Sequence, residues 1–488
     1  MKEKTDLFSS RYAYLFAAIG MAIGAGNIWR FPRLAGQYGG SFLIPWLLFL
    51  FIWSIPLIII EFSLGKTFKL GVIGVFRKGL GKSYTWMGWF IALCTMGIMF
   101  YYSVVCGWSL KYFLMSISGE ITNLNHSQFW ENYTTSNWEP VIYHIFAVIC
   151  GCLIIYFGVR SGIEKVTKIL IPSLFILITI SAIRAITLPG AGRGLSYFFR
   201  LNVADLLNYK IWLEALSQSA WSTGAGWGLI LTYANYVKKE EKTVSNALLT
   251  GIGNNLASLL CGLAIIPAVF ALSLSVEDAN SALQAGNQGL TFIYLPQLFN
   301  KMPGSWIMTP LFFLSLFIAA ISSLIAMLEL TVKIIMDYGF QRERAVIGVG
   351  ILTCIVGLPS AYSLGFFNNQ DWVWGVGLLL SGFFFIFYVL KTGIVAFIKR
   401  YLGNEQNYFI NRIWILKFLT LTMILEFVLM FLWWFFQSVN WYPETWWDPF
   451  GQFTIGTCIF QWIIVIFIGV LLNEKISDLN FKRISTTK

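Results

Sequence analysis

Charged and titratable side chains are scarce in this sequence of 488 residues. Asp, Glu, Lys and Arg together make up 12% of the chain, and there are only two His. A soluble domain carries roughly 25% charged residues, so a soluble globular protein is excluded. A disordered protein is excluded as well, because 57% of the residues are hydrophobic. This composition predicts an all-α protein that crosses a membrane several times.

Residue types that serve catalysis or metal binding are also few. The two His, His126 and His144, have no nucleophile or acid beside them in a catalytic pattern, which argues against an enzyme. The seven Cys fall within apolar stretches, so we expect buried hydrophobic residues rather than disulfides or a zinc site. The net charge of +11 does not indicate nucleic acid, because Lys and Arg lie in short runs between apolar segments.

Long apolar segments, by contrast, are abundant. A bilayer core about 30 Å thick needs about 20 helical residues. Twelve segments meet this length, and we predict a membrane-spanning helix in each: 12–36, 41–64, 86–115, 140–158, 163–185, 210–236, 243–272, 303–336, 344–362, 372–398, 413–436 and 452–472.

The loops between these segments alternate in charge. Residues 65–85 carry five Lys or Arg and no acid, whereas residues 116–139 carry three Glu and neither Lys nor Arg. Positively charged loops stay in the cytoplasm, so we expect both termini there and a multi-pass location in the cell (inner) membrane. Arg184, Arg193 and Arg200, on the outer side, depart from this alternation.

Two of the predicted helices contain matching glycine clusters near mid-span. Segment one contains Gly24-Ala25-Gly26, and segment six contains Gly224-Ala225-Gly226. Each is the first helix of a five-helix half, and because five is odd, the second half has inverted topology. Close helix packing would explain one such cluster. A matched pair instead indicates broken helices around a binding site at the middle of the membrane, where freed N–H and C=O groups need a polar ligand.

The residues around the first cluster carry a specific pattern. The stretch Gly24-Ala25-Gly26-Asn27-Ile28-Trp29-Arg30-Phe31-Pro32 resembles the first-helix signature of the neurotransmitter:sodium symporter family, especially its bacterial amino-acid transporter branch. Further matches lie at Gly39-Gly40-Ser41-Phe42, Ile44-Pro45, Phe100-Tyr101-Tyr102, Gln218, Thr232-Tyr233-Ala234 and Ser322-Ser323. The resemblance extends over about residues 8–475.

The resemblance implies both an architecture and an activity. It places inverted five-helix repeats at 12–185 and 210–398, an outer loop at 186–209, and two extra helices at 413–472. Cytoplasmic tails would occupy 1–11 and 473–488. The implied activity is sodium-driven uptake of a small amine-bearing substrate by alternating access, in a prokaryotic membrane. The oligomeric state stays undetermined.

The resemblance also assigns two sodium sites built from oxygen atoms. The first comprises the Ala22 carbonyl and the side chains of Asn27, Ser222 and Asn254. The second comprises the carbonyls of Gly20, Ile23 and Ala319 and the hydroxyls of Ser322 and Ser323. Without the resemblance, hydrogen bonds to their own helix would explain both of these serines.

The substrate site would lie between the two breaks. Free N–H groups around Ala25 and Gly26 favour a carboxylate, and the resemblance adds the Tyr102 hydroxyl. Gly24 stands where monoamine carriers of the family have Asp, so the substrate should bring its own carboxylate, as an α-amino acid does. The implied receptors of the ammonium are the carbonyls of Ala22, Trp221, Ser222 and Gly224. The implied side-chain pocket is uncharged, which suits neutral and mainly hydrophobic substrates: Ile98, Tyr102, Trp221, Gly224, Trp227, Ser323 and Met327.

Gates are implied at both ends of this site. The outer gate would comprise Arg30 and Asp371, joined directly or through water, with Tyr102 and Trp221 as an aromatic lid. The inner gate would comprise Tyr236, Asp337 and a basic residue near the N-terminus. The family has Arg at the position of Thr5, so Lys2 or Lys4 would have to replace it.

Chloride dependence is a further expectation. Chloride-independent members of the family carry an acid four residues after the Asn of helix seven, and here that residue is Ser258. An anion would then contact Gln218, Ser222, Asn254 and Ser258. The usual Tyr of helix two is replaced by Trp46.

Two other functions fit the same architecture. One is a proton-coupled amino-acid carrier that uses Glu329 or Asp337. The other is a sensor that binds an amino acid without transporting it. Replacing sodium by choline at fixed pH would separate the first of these from a sodium symporter.

Overall fold

The computed structural model describes residues 6–135, 137–405 and 413–484. Within these ranges the chain is helical almost throughout, and the only β-type pairing is an isolated bridge between Thr135 and Ser363. Nine helical stretches there are long and apolar enough to cross a membrane. The other three predicted spans are two interrupted helices and a helix of 17 residues, Ile455–Leu471. The prediction of twelve membrane-spanning helices is therefore confirmed.

We number these helices α1 to α12 in chain order. Helix α1 has two halves, α1a (Arg11–Ala22) and α1b, which consists of a π turn at Gly26–Arg30 and Phe31–Tyr38. Helix α2 runs from Leu43–Phe49 through a π turn at Leu50–Ser54 to Ile55–Phe68. The others in the first half are α3 (Thr85–Ser118), α4 (Glu139–Tyr156) and α5 (Lys165–Ile186).

The second half repeats this plan. Helix α6 also has two halves, α6a (Tyr209–Ser222) and α6b (Leu229–Ala234). The remaining helices are α7 (Thr243–Leu272), α8 (Ser305–Asp337), α9 (Arg342–Tyr362), α10 (Leu364–Thr392), α11 (Ile413–Trp441) and α12 (Ile455–Leu471).

Burial separates central helices from peripheral ones. Helices α3 and α8 are largely enclosed and pack against each other, whereas α11 exposes most of its surface. The interrupted helices lie beside this centre, because α1a contacts α8 and α6b contacts both α2 and α8. Two packed central helices thus form a scaffold against which the breaks are held.

The predicted bounds of helix ten, 372–398, are wrong. Helix α10 begins at Leu364, eight residues before the predicted start, and ends at Thr392, because the next residue, Gly393, has a φ of +84° and precedes a separate helix, Ile394–Tyr401. Within the predicted C-terminal tail, 473–488, residues Asn473–Ile484 form a helix. Its Lys82–Asp478 ion pair (2.6 Å) and a hydrogen bond from Asn473 to the Lys82 carbonyl attach it to the start of α3.

Candidate functional site between the broken helices

The break in α1 is a short extended segment. Ile23 has a ψ of 92°, which ends α1a and leaves backbone N–H groups without helical partners. Side chains accept two of these protons: the Tyr102 hydroxyl accepts the Ala25 N–H at 2.8 Å, and Asn27 Oδ1 accepts the Gly24 N–H at 3.0 Å. The break is therefore held open by α3 and by its own Asn.

The break in α6 uses glycine geometry instead. Gly224, Gly226 and Gly228 have φ values of +67°, +88° and +79°, a region that side chains with a Cβ disfavour. Glu61 of α2 stabilises the unwound chain by accepting the N–H groups of Gly226 (2.5 Å) and Leu231 (3.2 Å). The glycines thus permit the break, and a buried carboxylate satisfies its backbone.

Oxygen atoms converge where α1, α6 and α7 meet. The Asn27 amide donates to Asn254 Oδ1 and to Ser258 Oγ, both at 2.8 Å, and Asn254 also bonds the Ser222 hydroxyl at 3.0 Å. The Oδ1 position of Asn254 lies 2.8 Å from the Ser222 carbonyl and 3.2 Å from the Ala22 carbonyl. Acceptor oxygens this close repel one another unless a donor or a cation lies among them.

A second group of oxygens lies where α1a meets α8. The Ser322 hydroxyl donates to the Gly20 carbonyl at 2.7 Å and to the Ala319 carbonyl at 2.9 Å. Ser323 instead donates to the carbonyl of Met21 at 2.9 Å. Gly20 also lets α1a pack closely against α5, since a Cβ there would meet the side chain of Ile171 at 2.4 Å.

Both groups fit sodium by donor type. They consist of carbonyl, amide and hydroxyl oxygens, the ligands that hard cations prefer. Neither group contains His or Cys, and among the described residues no cluster of His, Cys, Asp and Glu suits a transition metal. Ile23, also expected in the second group, lies in the break directly after α1a, while the two serine hydroxyls donate to the carbonyls of other residues.

A cavity of about 80 Å³ lies between the two breaks. Ten of the twelve expected substrate residues line it: Ala22, Gly24, Gly26, Tyr102, Trp221, Ser222, Gly224, Trp227, Ser323 and Met327. Ala25 and Ile98 do not. Ala25 points its N–H to Tyr102 instead, and Ile98 is fully buried within α3.

Two indole rings form one wall of this cavity. Trp221 and Trp227 stand edge to face with centroids 5.6 Å apart. Trp221 packs against α10 at Gly375, where a Cβ would meet the ring at 2.4 Å. The Thr95 hydroxyl holds the backbone at Trp227 by donating to its carbonyl at 2.7 Å. This wall is therefore apolar, and contacts with Gly375 and Thr95 hold its two residues in place.

The outer end of the cavity holds the charged residues. Arg30 and Asp371 both line it, but Arg30 contacts other partners: its Nη2 lies 2.5 Å from Ser217 Oγ and 3.8 Å from Glu214 Oε2. The guanidinium also lies over the Trp221 ring, 5.7 Å from its centroid. Arg30 and Asp371, expected to form the outer gate, therefore line the same cavity. The acid that pairs with Arg30 is Glu214.

Tyr236, expected at the inner gate, contacts an ion pair between Glu329 and Arg342. The Tyr236 hydroxyl donates to Glu329 Oε1 at 2.5 Å, and Arg342 binds both oxygens of Glu329 at 2.8 and 2.6 Å. Asp337 pairs with Lys333 at 2.6 Å and accepts the Gly71 N–H. The residues expected to replace the family Arg, Lys2, Lys4 and Thr5, lie outside the described residues.

The four residues expected around an anion also gather beside the first oxygen group. Gln218 Nε2 lies 3.5 Å from the Gly26 carbonyl, while its Oε1 has no partner in the described part of the chain. The indole N–H of Trp46 also has no hydrogen-bond partner among the described residues. Trp46 is buried beside Phe31, with ring centroids 4.6 Å apart. An indole N–H without an acceptor is an available donor.

Several residues near the site were missed by sequence reasoning. Asn287, in the short helix Gly286–Gln288 between α7 and α8, lines the cavity and accepts a hydrogen bond from Arg33 Nε at 2.7 Å. Met21, Trp29, Tyr101, Val105 and Leu229 also line the cavity. Glu214 lies one turn before Gln218 on α6a, so the helical spacing was the available signal for it.

Comparisons with known proteins agree with this arrangement. The model of the "Sodium:neurotransmitter symporter family" matches residues 5–139 and 131–474. An uncharacterized sodium-dependent transporter of Methanocaldococcus jannaschii is 31% identical over 364 residues, which cover 72% of this chain and 74% of that protein. The uncharacterized sodium-dependent transporter YhdH of Bacillus subtilis is 27% identical over 452 residues, covering 88% and 98%.

A solved structure is similar over nearly its whole length. The crystal structure of MhsT in complex with L-phenylalanine superposes with a TM-score of 0.77 at 28% identity, covering 88% of this chain and 99% of that one. Family model, relatives and solved structure therefore all indicate the same family. The chain belongs to the sodium:neurotransmitter symporter family, and it is a multi-pass membrane protein of a sodium-dependent transporter family.

Proposed function

We propose that this protein is a sodium-coupled symporter for neutral, mainly hydrophobic α-amino acids that works by alternating access. The observation that carries the proposal is the cavity between two broken helices, with oxygen groups on two sides. L-Phenylalanine bound to the similar protein MhsT supports this substrate class. No catalytic step is proposed, since the relatives are described as transporters.

The geometry around Gly24 favours a zwitterion. A Cβ at this position would lie 2.8 Å from the Tyr102 hydroxyl and 3.0 Å from Ser323 Oγ, so an acidic side chain has no room there. Among the described residues that line the cavity, one is acidic, Asp371 beside Arg30 at the outer end. A substrate with its own carboxylate therefore fits better than a decarboxylated amine.

Two sodium ions, one in each oxygen group, are part of the proposal. The first ion would contact Ala22, Asn27, Ser222 and Asn254, and the substrate carboxylate could share it. The second would contact Gly20, Ala319 and Ser322, with Ile23 and Ser323 as the remaining expected ligands. Sodium binding to both halves of a broken helix would couple the ions to the movement of those halves.

The proposal includes chloride dependence, which Ser258 predicts from the sequence and which the indole of Trp46 supports further. Trp46 offers a buried donor without an acceptor among the described residues, and Ser258 provides no negative charge. We place the protein in the cell (inner) membrane of a prokaryote, with lipid around the helices and both termini in the cytoplasm. The two inverted repeats would occupy residues 12–185 and 210–398.

The proton-coupled alternative loses support from the contacts of its two acids. Glu329 pairs with Arg342, and Asp337 pairs with Lys333, so neither carboxylate needs a proton for charge balance. A pure sensor and a proton-coupled carrier remain outcomes that the following experiment would reveal.

The test is uptake into liposomes that contain the purified protein. Each of the twenty labelled amino acids is offered with sodium, lithium or choline outside, with chloride or gluconate, at fixed pH. We expect sodium-dependent accumulation of apolar amino acids. Uptake driven equally well in choline by a proton gradient would overturn sodium coupling, and sodium-dependent binding without accumulation would overturn transport.

One pair of variants ties the result to the first oxygen group. Ser222→Ala removes a hydroxyl oxygen, and we expect the sodium concentration for half-maximal uptake to rise about tenfold, equivalent to about 1.4 kcal/mol. Ser222→Thr keeps the hydroxyl and should retain a sodium dependence close to that of the original protein. Equal sodium dependence in both variants would remove Ser222 from the site.

A further inference from the structure

Three glutamates are buried in the membrane-spanning helices, and they differ in their partners. Glu61 accepts two backbone N–H groups, and Glu329 binds Arg342 and Tyr236. Glu426 on α11 is only 7% exposed, yet neither of its carboxyl oxygens has a hydrogen-bond partner among the described residues. Of the ion pairs in the described ranges, none includes Glu426.

The position of Glu426 on α11 gives this observation more weight. The buried face of the helix is formed by Met423, Glu426, Met430 and Trp434, at helical spacing. Met430 and Trp434 line a cavity of about 230 Å³ at the outer end of the protein. Met423 lines an apolar groove on the opposite side of Glu426. Glu426 therefore lies about 6 Å along the helix axis from Met430, one turn away from the residues of α11 that line the outer cavity.

The chemistry of this position disfavours an ionised carboxylate. A charge buried in the membrane without a partner is costly and is normally paired or neutralised. The charged groups of the outer cavity are Arg30, Arg33, Glu214 and Asp371, and Arg30 already contacts Glu214. On the other side, the groove offers Thr420 and apolar side chains only. Protonation is the remaining way to neutralise Glu426.

We propose that Glu426 is a proton-binding site within the membrane, neutral in the resting protein, that exchanges its proton through the outer cavity. The ligand is a proton, and the site is separate from the substrate cavity and both oxygen groups. The proposal does not depend on the identity of the transported substrate, because its tests measure protonation and not uptake.

A lipid-soluble carbodiimide provides the first test, since it reacts with protonated carboxyl groups. The carboxyl proton moves to one carbodiimide nitrogen while the carboxyl oxygen adds to the central carbon. The acyl group then migrates to nitrogen, which gives an N-acylurea without a leaving group. Peptide mass spectrometry of the full protein in liposomes should show modification of Glu426, and none in Glu426→Gln. Glu61 and Glu329 are internal controls and should stay unmodified until the protein is unfolded in acid.

Infrared spectroscopy provides the second test and does not require reagent access. A protonated carboxyl has a C=O stretch distinct from the carboxylate bands. At neutral pH we expect one such band that Glu426→Gln removes and that Met423→Leu, a neighbouring change on the same face, retains. If the Gln variant keeps every protonated-carboxyl band, Glu426 is ionised and the proposal is overturned, whatever the labelling shows. Modification of Glu61 or Glu329 to the same extent as Glu426 would also overturn it.

Discussion

Arg342 and Glu329 form a two-point ion pair that joins the first residue of α9 to the interior of α8. Nη1 of Arg342 lies 2.8 Å from Oε2 of Glu329, and Nη2 lies 2.6 Å from Oε1. Tyr236 from the end of α6 donates to the same carboxylate, and the Phe8 N–H donates to the carbonyl of Tyr236. One fully buried acid thus connects α6, α8, α9 and the N-terminal segment.

Removing this acid's charge should destabilise the protein. Glu329→Gln leaves Arg342 buried without a counter-charge, so we expect the free energy of unfolding to fall by about 3–5 kcal/mol, the usual effect of breaking a buried pair. Thermal unfolding in detergent measures the change. Asp478→Asn is the control, because its pair with Lys82 is about half exposed and should contribute no more than about 1 kcal/mol. Equal effects of the two changes would contradict this interpretation.

Adding one methyl group at Gly24 should weaken substrate binding. In Gly24→Ala the new Cβ would lie 2.8 Å from the Tyr102 hydroxyl, which must then move away from the Ala25 N–H. A loss of about 1.4 kcal/mol corresponds to a tenfold increase in Kd, and radioligand binding at saturating sodium would detect it. Gly348→Ala is the control, because nothing lies within 4 Å of a Cβ there and this residue of α9 does not line the cavity. A comparable loss of affinity in both variants would argue against the steric reason.

The indole N–H of Trp46 should matter for chloride. Trp46→Phe keeps an aromatic ring against Phe31 but removes the donor, so we expect chloride to stimulate uptake less or not at all. Trp53→Phe removes another buried indole N–H from α2, further along the helix, and should leave the chloride response intact. Uptake by both variants is compared in chloride and in gluconate. An undiminished chloride response in Trp46→Phe would exclude this indole as an anion ligand.

Lys69 should make stability depend on pH in the alkaline range. Burial, followed by the charges of Lys66, Lys239 and Lys333, lowers the pKa of the Lys69 ammonium from 10.5 to about 8. Between these two values the folded protein has lost the proton while the unfolded chain keeps it. The free energy of unfolding therefore rises with pH across this window, and the unfavourable contribution is fully present below pH 8.

The variant Lys69→Gln tests this contribution. Thermal unfolding in detergent, measured at a series of pH values through the window, should show a smaller rise with pH than in the original protein. Lys78→Gln changes an exposed lysine of the same loop and is the control. An unchanged pH profile in Lys69→Gln would show that Lys69 does not titrate there.

The pairing of charges could not be predicted from the sequence in the same way as the helices. Arg30 and Asp371 were expected to form the outer gate, but Arg30 contacts Glu214, and Asp337 pairs on its own helix with Lys333. The partners are 187 residues apart for Arg30 and Ser217, and 235 for Arg11 and Asn246. The sequence around a charged residue does not indicate which distant helix will pack against it.

The amino-acid sequence by itself determined that this chain enters lipid, that it spans the membrane with helices, and that two of them are interrupted. These properties depend on apolar length and on glycine, which act within a few neighbouring residues. The tertiary structure alone decided which acid meets Arg342, why Ile98 stays outside the cavity, and that Glu426 has no hydrogen-bond partner in the described part of the chain. Such facts depend on how whole helices pack, because a side chain's neighbours in space come from segments that are remote along the chain.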